Sequence, residues 1–152
     1  MADDLKQLEE WVAPLLERLS ATERRKLTRK LATQIRRNQQ QRMKKQEAPD
    51  GSKWTPRKSQ SLRNKRGQVR RSAMFNELRK AKYLRIKATP GSAMLYFAGR
   101  AGRIAAVHHH GLRAPVERGG PTYDYPAREL LGISGADRKQ IEDTLVEHLT
   151  PE

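Results

Sequence analysis

The stretch YLRIKATPGSAMLYFA, residues 83–98, contains two runs of six residues separated by Thr-Pro-Gly-Ser. The first run alternates apolar and charged side chains, and a turn rich in proline and glycine follows it, which is the pattern of a β-hairpin. The second run is almost entirely apolar, which predicts a strand buried on both faces. The sequence therefore predicts a central antiparallel hairpin at about residues 82–98.

Helical periodicity lies on both sides of the hairpin, and a basic loop separates the N-terminal helices from it. Two helices are expected within about residues 3–46. The first carries leucines at spacings of three and four, and Pro14 predicts a kink or break in it. Ser20 and Glu23 form a capping-box pattern that opens the second.

The second helix loses its apolar stripe after Ile35 and becomes rich in Arg and Gln, so its end is expected to project into solvent or to lie against a partner. Residues 73–80 are expected to form a short helix, 103–110 a helix or a strand, and 112–126 a loop with extended pieces. The last helix, about 135–149, is capped by Ser134 or Asp137.

Length and composition limit the class of protein. The 152 residues most simply form one domain, 1–152. The absence of cysteine excludes a disulfide scaffold and a thiolate metal site. No apolar run approaches the ~20 residues of a membrane span. The acidic N-terminus lacks the apolar segment of a signal peptide, which predicts a protein assembled in a cytoplasm without a membrane partner.

The positive charge is concentrated in the middle of the chain. The formal net charge is +15, yet residues 1–20 and 133–152 each carry −3, whereas residues 21–48 carry +8 and 49–90 carry +11. The loop at about 55–72 has little to bury and is predicted to be mobile in the free protein. Its candidate docking or phosphate-contact residues are Arg57, Lys58, Arg63, Lys65, Arg66, Arg70 and Arg71.

Three interpretations of this charge stay open on composition. The basic segment 21–90 could bind nucleic acid without sequence specificity, by neutralising phosphates. It could instead dock on an acidic protein surface, or merely keep the protein soluble. No aromatic residue lies between positions 55 and 74, so a platform for stacking bases is missing there.

Two short motifs provide further candidate residues. Pro49, Asp50 and Gly51 predict a tight turn after the second helix, and Trp54 is expected to anchor it in a core or an interface. The triplet His108, His109 and His110 is a candidate interface; adjacent positions diverge in either a helix or a strand, so metal binding is not expected. The sequence shows no paired nucleophile and base and no phosphate loop, so neither a catalytic site nor a cofactor is predicted.

An ordered set of segments resembles the tail completion, or virion morphogenesis, family of contractile-tailed temperate phages. The segments are APDGSKWTP at 48–56, AAVHHHG at 105–111, YPARELLGIS at 125–134 and the helix after Asp137. The resemblance implies an α+β fold, in which N-terminal and C-terminal helices pack on a small antiparallel sheet, and the hairpin and terminal helices read from the sequence agree with it. It also implies a non-enzymatic structural protein of the virion tail, acting at the head-proximal end so that tail and head can join.

The same resemblance implies partners and sites. The partners would be further copies in a ring and other tail or head-neck proteins, with only incidental DNA contact and no small-molecule substrate. The second segment contains the three histidines, and the third adds Arg128 as a candidate interface residue.

Overall fold

The computed structural model describes the backbone of residues 2–56 and 74–149, and side chains from Lys6 onward in the same ranges. Its elements are α1 (Ala2–Leu16), α2 (Ala21–Lys44), β1 (Leu84–Thr89), β2 (Ser92–Phe97), α3 (Arg100–His110), β3 (Arg113–Pro115), β4 (Thr122–Asp124) and α4 (Gly135–Leu149). Two small two-stranded sheets, β1–β2 and β3–β4, accompany the helices. The predicted α+β class and the central hairpin are confirmed. The basic loop lies outside the described residues.

Local capping interactions explain where α2 and α4 begin. The amide of Glu23 donates to Ser20 Oγ at 3.2 Å, and the amide of Ser20 donates to the Glu23 carboxylate at 3.3 Å. Ser134 and Asp137 make the same reciprocal pair at 3.0 Å, so both candidate cap residues of α4 take part. Each pair satisfies backbone amides that a helix N-terminus leaves without partners.

Helix α1 runs through Pro14 and ends two residues later, at Leu16. The sequence predicts a kink or a break near Pro14; the helix does not break at Pro14 itself, but it ends within one turn of it. Proline has no backbone N–H to donate to the carbonyl four residues earlier, which weakens the helix at this turn.

The chain forms two compact units. The first comprises the described residues of Met1–Arg37, Ile86–Leu95 and Ile133–Glu152. Its core is built from α1, α2 and α4, with Val12, Leu27 and Leu145 buried at the centre. Two side-chain hydroxyls form hydrogen bonds within this unit. Thr28 Oγ1 donates to the carbonyl of Thr89 at 2.7 Å, and Thr144 Oγ1 donates to Gln34 Oε1 at 3.0 Å.

The hairpin β1–β2 differs from expectation in its burial. Leu84 on β1 is completely buried. Strand β2, in contrast, is exposed along most of its length, and Met94 and Tyr96 expose 46% and 37% of their surface. The prediction of a strand buried on both faces is wrong, because an apolar run shows which residues favour burial but not whether an element covers each face.

The second unit comprises the described residues of Asn38–Arg85 and Tyr96–Gly132. Residues 38–44 of α2 belong to it and carry two of its most buried side chains, Gln39 and Met43. Gln39 Nε2 and Arg42 Nη2 both donate to the carbonyl of Gly132, the second at 2.7 Å. Projection into solvent is therefore wrong for Gln39 and Arg42, whose polar groups bind a backbone carbonyl, whereas Gln41 and Lys44 of the same helix end are exposed.

Two segments around α3 complete the second unit. Residues 74–80 form consecutive turns rather than the expected short helix, and Phe75 has a φ of +64°, which a helix excludes. Residues 103–110, where the sequence is compatible with either a helix or a strand, are helical and belong to α3, and Gly111 ends α3 in a left-handed conformation. β3 and β4 pair antiparallel with Ala114 opposite Tyr123, which agrees with the extended pieces expected there.

Within the described parts of the chain, no helix combines the length and apolar character required to cross a membrane. The prediction of one domain, 1–152, stays a prediction.

Candidate functional site

The turn after α2 is closed by its own backbone. The amide of Ala48 donates to the carbonyl of Ser52 at 2.8 Å, and that of Gly51 donates to the carbonyl of Ala48 at 2.9 Å. Asp50 Oδ1 accepts the amide of Ser52 at 2.9 Å and its hydroxyl at 2.5 Å, and these hydrogen bonds lower the pKa of Asp50. Gly51 has a φ of +86°, a region that suits glycine. Pro49 is partly buried within the same turn.

Trp54 follows this turn and is 6% exposed. Its amide donates to the carbonyl of Gln46 at 2.9 Å, and its indole Nε1 donates to the carbonyl of Glu129 at 3.0 Å. The indole ring meets Phe75 edge to face, with 5.5 Å between ring centroids. The side chain is therefore fixed by burial, by a hydrogen bond and by an aromatic contact at once.

Arg128 lies in the interior of the unit rather than on its surface, with 6% of its area exposed. Its Nε donates to the carbonyl of Thr55 at 2.8 Å and its Nη2 to that of Pro56 at 3.2 Å. Its amide donates to the carbonyl of His108 at 2.7 Å. The guanidinium therefore fixes the backbone of Thr55 and Pro56, directly after Trp54, so Arg128 positions a segment of its own chain.

Aromatic rings form a continuous row through this site. After the contact of Trp54 with Phe75, the ring centroids of Phe75 and His108 lie 4.7 Å apart, and those of His108 and Tyr125 lie 4.8 Å apart. Tyr123 ends the row at 4.9 Å from Tyr125. All of these contacts are edge to face, the geometry that aromatic quadrupoles favour.

The three histidines have three different environments. His108 belongs to the aromatic row, and its Nδ1 is buried without a hydrogen-bond partner. His109 Nδ1 accepts the amide of Leu130 at 3.1 Å, and His110 is exposed. Across residues 6–56 and 74–149, no group of three or more His, Cys, Asp or Glu side chains is arranged to hold a metal ion.

An open cavity of about 500 Å³ lies beside α3. Three small residues of that helix, Gly102, Ala105 and Ala106, form part of its wall, and the other lining residues are Phe97, His109, His110, Leu131 and Gly132. The imidazoles are the titratable side chains of this lining. The rest of the lining consists of apolar residues and glycines.

Sequence reasoning missed one residue that organises the site. Gln46 has a φ of +60°, and its side chain pairs with the backbone of Met74: Oε1 accepts the amide at 2.9 Å and Nε2 donates to the carbonyl at 3.0 Å. No local pattern marks a glutamine for this role, because its partner is 28 residues away. The seven cations of the candidate docking loop, at positions 57, 58, 63, 65, 66, 70 and 71, lie outside the described residues.

The stability of the protein is expected to fall as the pH drops below about 6.5, the reference pKa of histidine. Burial, and to a lesser extent the charge of Arg128, lower the pKa of His108, and burial likewise lowers that of His109. The unfolded chain then binds protons more readily than the folded chain, so stability decreases from about pH 6.5 down to the lowered pKa values. Urea unfolding at pH 7.5 and 5.5 measures this loss.

His108→Phe is the variant for that experiment, because it keeps a ring in the row and removes a nitrogen that has no partner. Its stability should depend less on pH than that of the unchanged protein. The unchanged protein, measured in the same buffers, is the control. A profile that His108→Phe does not flatten would contradict the assignment.

Comparison with known proteins gives two consistent matches. The model of the phage virion morphogenesis family matches residues 3–150. The chain is 40% identical over 148 residues to a protein named tail completion protein S from Escherichia phage P2, which covers 97% of this chain and 98% of that protein. No solved structure matches the chain significantly.

Proposed function

Because the chain belongs to the phage virion morphogenesis family, we propose that it is a structural protein that completes the phage tail. The observation that carries this proposal is the 40% identity to a tail completion protein along nearly the whole length of both chains. A match of that extent includes the helices, the hairpin and the anchored turn together. The geometry of the site supports a structural role, because side-chain atoms of Arg128 and His109 form hydrogen bonds with backbone atoms of the same chain.

The finer proposal places the protein at the head-proximal end of the virion tail, after assembly in the host cytoplasm. There it would present a surface to other tail or head-neck proteins, so that a finished tail can join a head. It needs no catalytic residue and no cofactor for this task. The seven cations of the candidate loop, Arg57 to Arg71, are proposed as docking residues for an acidic neighbour.

A closed ring of identical copies is part of the proposal. A ring needs a heterologous interface, in which one patch meets a different patch on the next copy. Exposed acids such as Glu10 on α1 and Glu147 on α4 contrast with the exposed cations of α2, so one chain carries surfaces of opposite charge. Light scattering that detects only monomer, together with tail images without a ring, would exclude this part.

Electron microscopy of particles assembled without the protein tests the function. We expect tails that remain separate from DNA-filled heads, and restoration of joined particles when the unchanged protein is supplied. An exposed-residue variant, Arg118→Gln, should restore joining equally well and serves as the control. Normal numbers of joined, infectious particles in the absence of the protein would contradict the proposal.

A further inference from the structure

The part of α2 from Arg25 to Arg37 carries a cationic face. Its cations follow two adjacent rows at the same spacing, i, i+4 and i+11, and these positions share one side of a helix. The rows are Arg25, Arg29 and Arg36, and Lys26, Lys30 and Arg37. The side chains of this set are exposed or half-buried. We call this set the α2 cationic face.

The α2 cationic face contains like-charge neighbours where a helix in water usually contains ion pairs. Arg25 and Arg29, and also Lys26 and Lys30, stand at i,i+4, a spacing at which like charges destabilise a helix. The ion pairs found among the described residues involve none of the six cations. The face is therefore electrostatically unfavourable in the protein alone.

Helix α4 of the same chain shows the alternative arrangement. At the same i,i+4 spacing, Arg138 Nε lies 3.1 Å from Glu142 Oε1, and Lys139 Nζ lies 3.2 Å from Asp143 Oδ2. A helix face whose only task is to keep the protein soluble can consist of such alternating cations and acids. The accumulated charge on α2 points instead to a ligand that carries closely spaced negative charges.

We propose that the α2 cationic face binds the phosphate backbone of duplex DNA without reading its sequence. From Arg25 to Arg37 the helix extends about 18 Å, and duplex DNA carries one negative charge per about 1.7 Å of its axis. Thr33, half-buried between the cations on the same face, adds a hydroxyl of the kind that also contacts phosphates. The face contains no aromatic ring on which an unpaired base could stack, which favours the double-stranded form.

An acidic protein surface, including the exposed acids of a second copy, is the competing ligand. The acids Glu142 and Asp143 of α4 are paired within their helix. Exposed acids such as Glu10 on α1 and Glu147 on α4 are available to a contact between copies, but they lie on different helices. Phosphates, in contrast, recur at a regular spacing and match a face that is regular along its whole length.

The test compares two variants with the same net charge. In the first, Arg25, Lys26 and Arg29 are replaced by Gln; in the second, Lys44, Arg103 and Arg118, which are exposed elsewhere, are replaced by Gln. Binding of the full-length protein to a duplex of about 30 base pairs is followed by fluorescence anisotropy from about 50 to 200 mM salt. Circular dichroism checks that each variant keeps its helices.

The first variant should reduce the slope of log affinity against log salt by about 2.7, or about 0.9 for each phosphate that is no longer neutralised. The second variant should change the slope by less than about 0.9, the effect of a single phosphate. Equal reductions in the two variants would show that the charge of the whole molecule binds DNA, and would overturn the proposal. A first variant that binds DNA as tightly as the unchanged protein but fails to complete tails would assign the face to an acidic protein instead.

Discussion

Replacing Trp54 by alanine is expected to lower the free energy of unfolding by about 3–5 kcal/mol, the usual cost of deleting a large buried aromatic side chain. The change removes a ring that is 6% exposed, its edge contact with Phe75 and the hydrogen bond from Nε1 to Glu129. That cost is a large part of the stability of a typical domain, about 5–15 kcal/mol. Urea unfolding followed by circular dichroism measures it, and tail completion should fail with the same variant.

The second tryptophan of the chain is the matched control. Trp11 lies on α1 with 50% of its surface exposed, so Trp11→Ala should change stability by no more than about 0.5 kcal/mol. Trp54→Phe separates burial from hydrogen bonding: it retains most of the buried area but leaves the Glu129 carbonyl unpaired, at a cost of about 1–3 kcal/mol. Equal destabilisation by the two alanine variants would show that Trp54 does not anchor the turn.

Gly111→Ala is the second change with a large expected effect. Gly111 has a φ of +64°, and a Cβ built on it would lie 2.7 Å from the amide nitrogen and 3.0 Å from the Cα of Ala127. The left-handed conformation costs an ordinary residue about 1–2 kcal/mol, and overpacking typically adds about 1–3 kcal/mol. We expect a combined destabilisation of roughly 2–5 kcal/mol, because backbone atoms cannot move aside as a flexible side chain can.

Other glycines of the chain separate the two contributions. Gly51 also has a positive φ, +86°, but nothing lies within 4 Å of its added Cβ, so Gly51→Ala should show only the conformational cost. Gly91 has free space and no positive φ, and Gly91→Ala should be close to neutral. If Gly111→Ala and Gly51→Ala cost the same in urea unfolding, the close approach to Ala127 is unimportant.

Features decided by neighbours in sequence were predictable. The two capping boxes, Ser20 with Glu23 and Ser134 with Asp137, each join residues three positions apart, so their pattern is complete in the sequence. The hairpin has a turn whose residues specify its geometry. The location of the tight turn at Gly51 follows from the same kind of local signal.

Features decided by distant partners were not predictable. From the sequence alone, Gln39 of α2 is expected to be solvated. In the structure it is buried and donates to the carbonyl of Gly132, which lies 93 residues away in the sequence. The turns at 74–80 depend on the pairing of Gln46 with Met74, and the exposure of β2 depends on what covers it. Resemblance to a family makes Arg128 a candidate interface residue, yet its guanidinium binds the carbonyls of Thr55 and Pro56.

Pro56 and Met74 are each held by a residue that is distant in the sequence. Arg128 fixes the chain at Pro56 through the carbonyl that its Nη2 contacts, 72 positions away, and Gln46 fixes it at Met74 through a paired amide and carbonyl, 28 positions away. The two points therefore have independent anchors, and a substitution of Arg128 should release the chain at Pro56 while Gln46 still holds it at Met74.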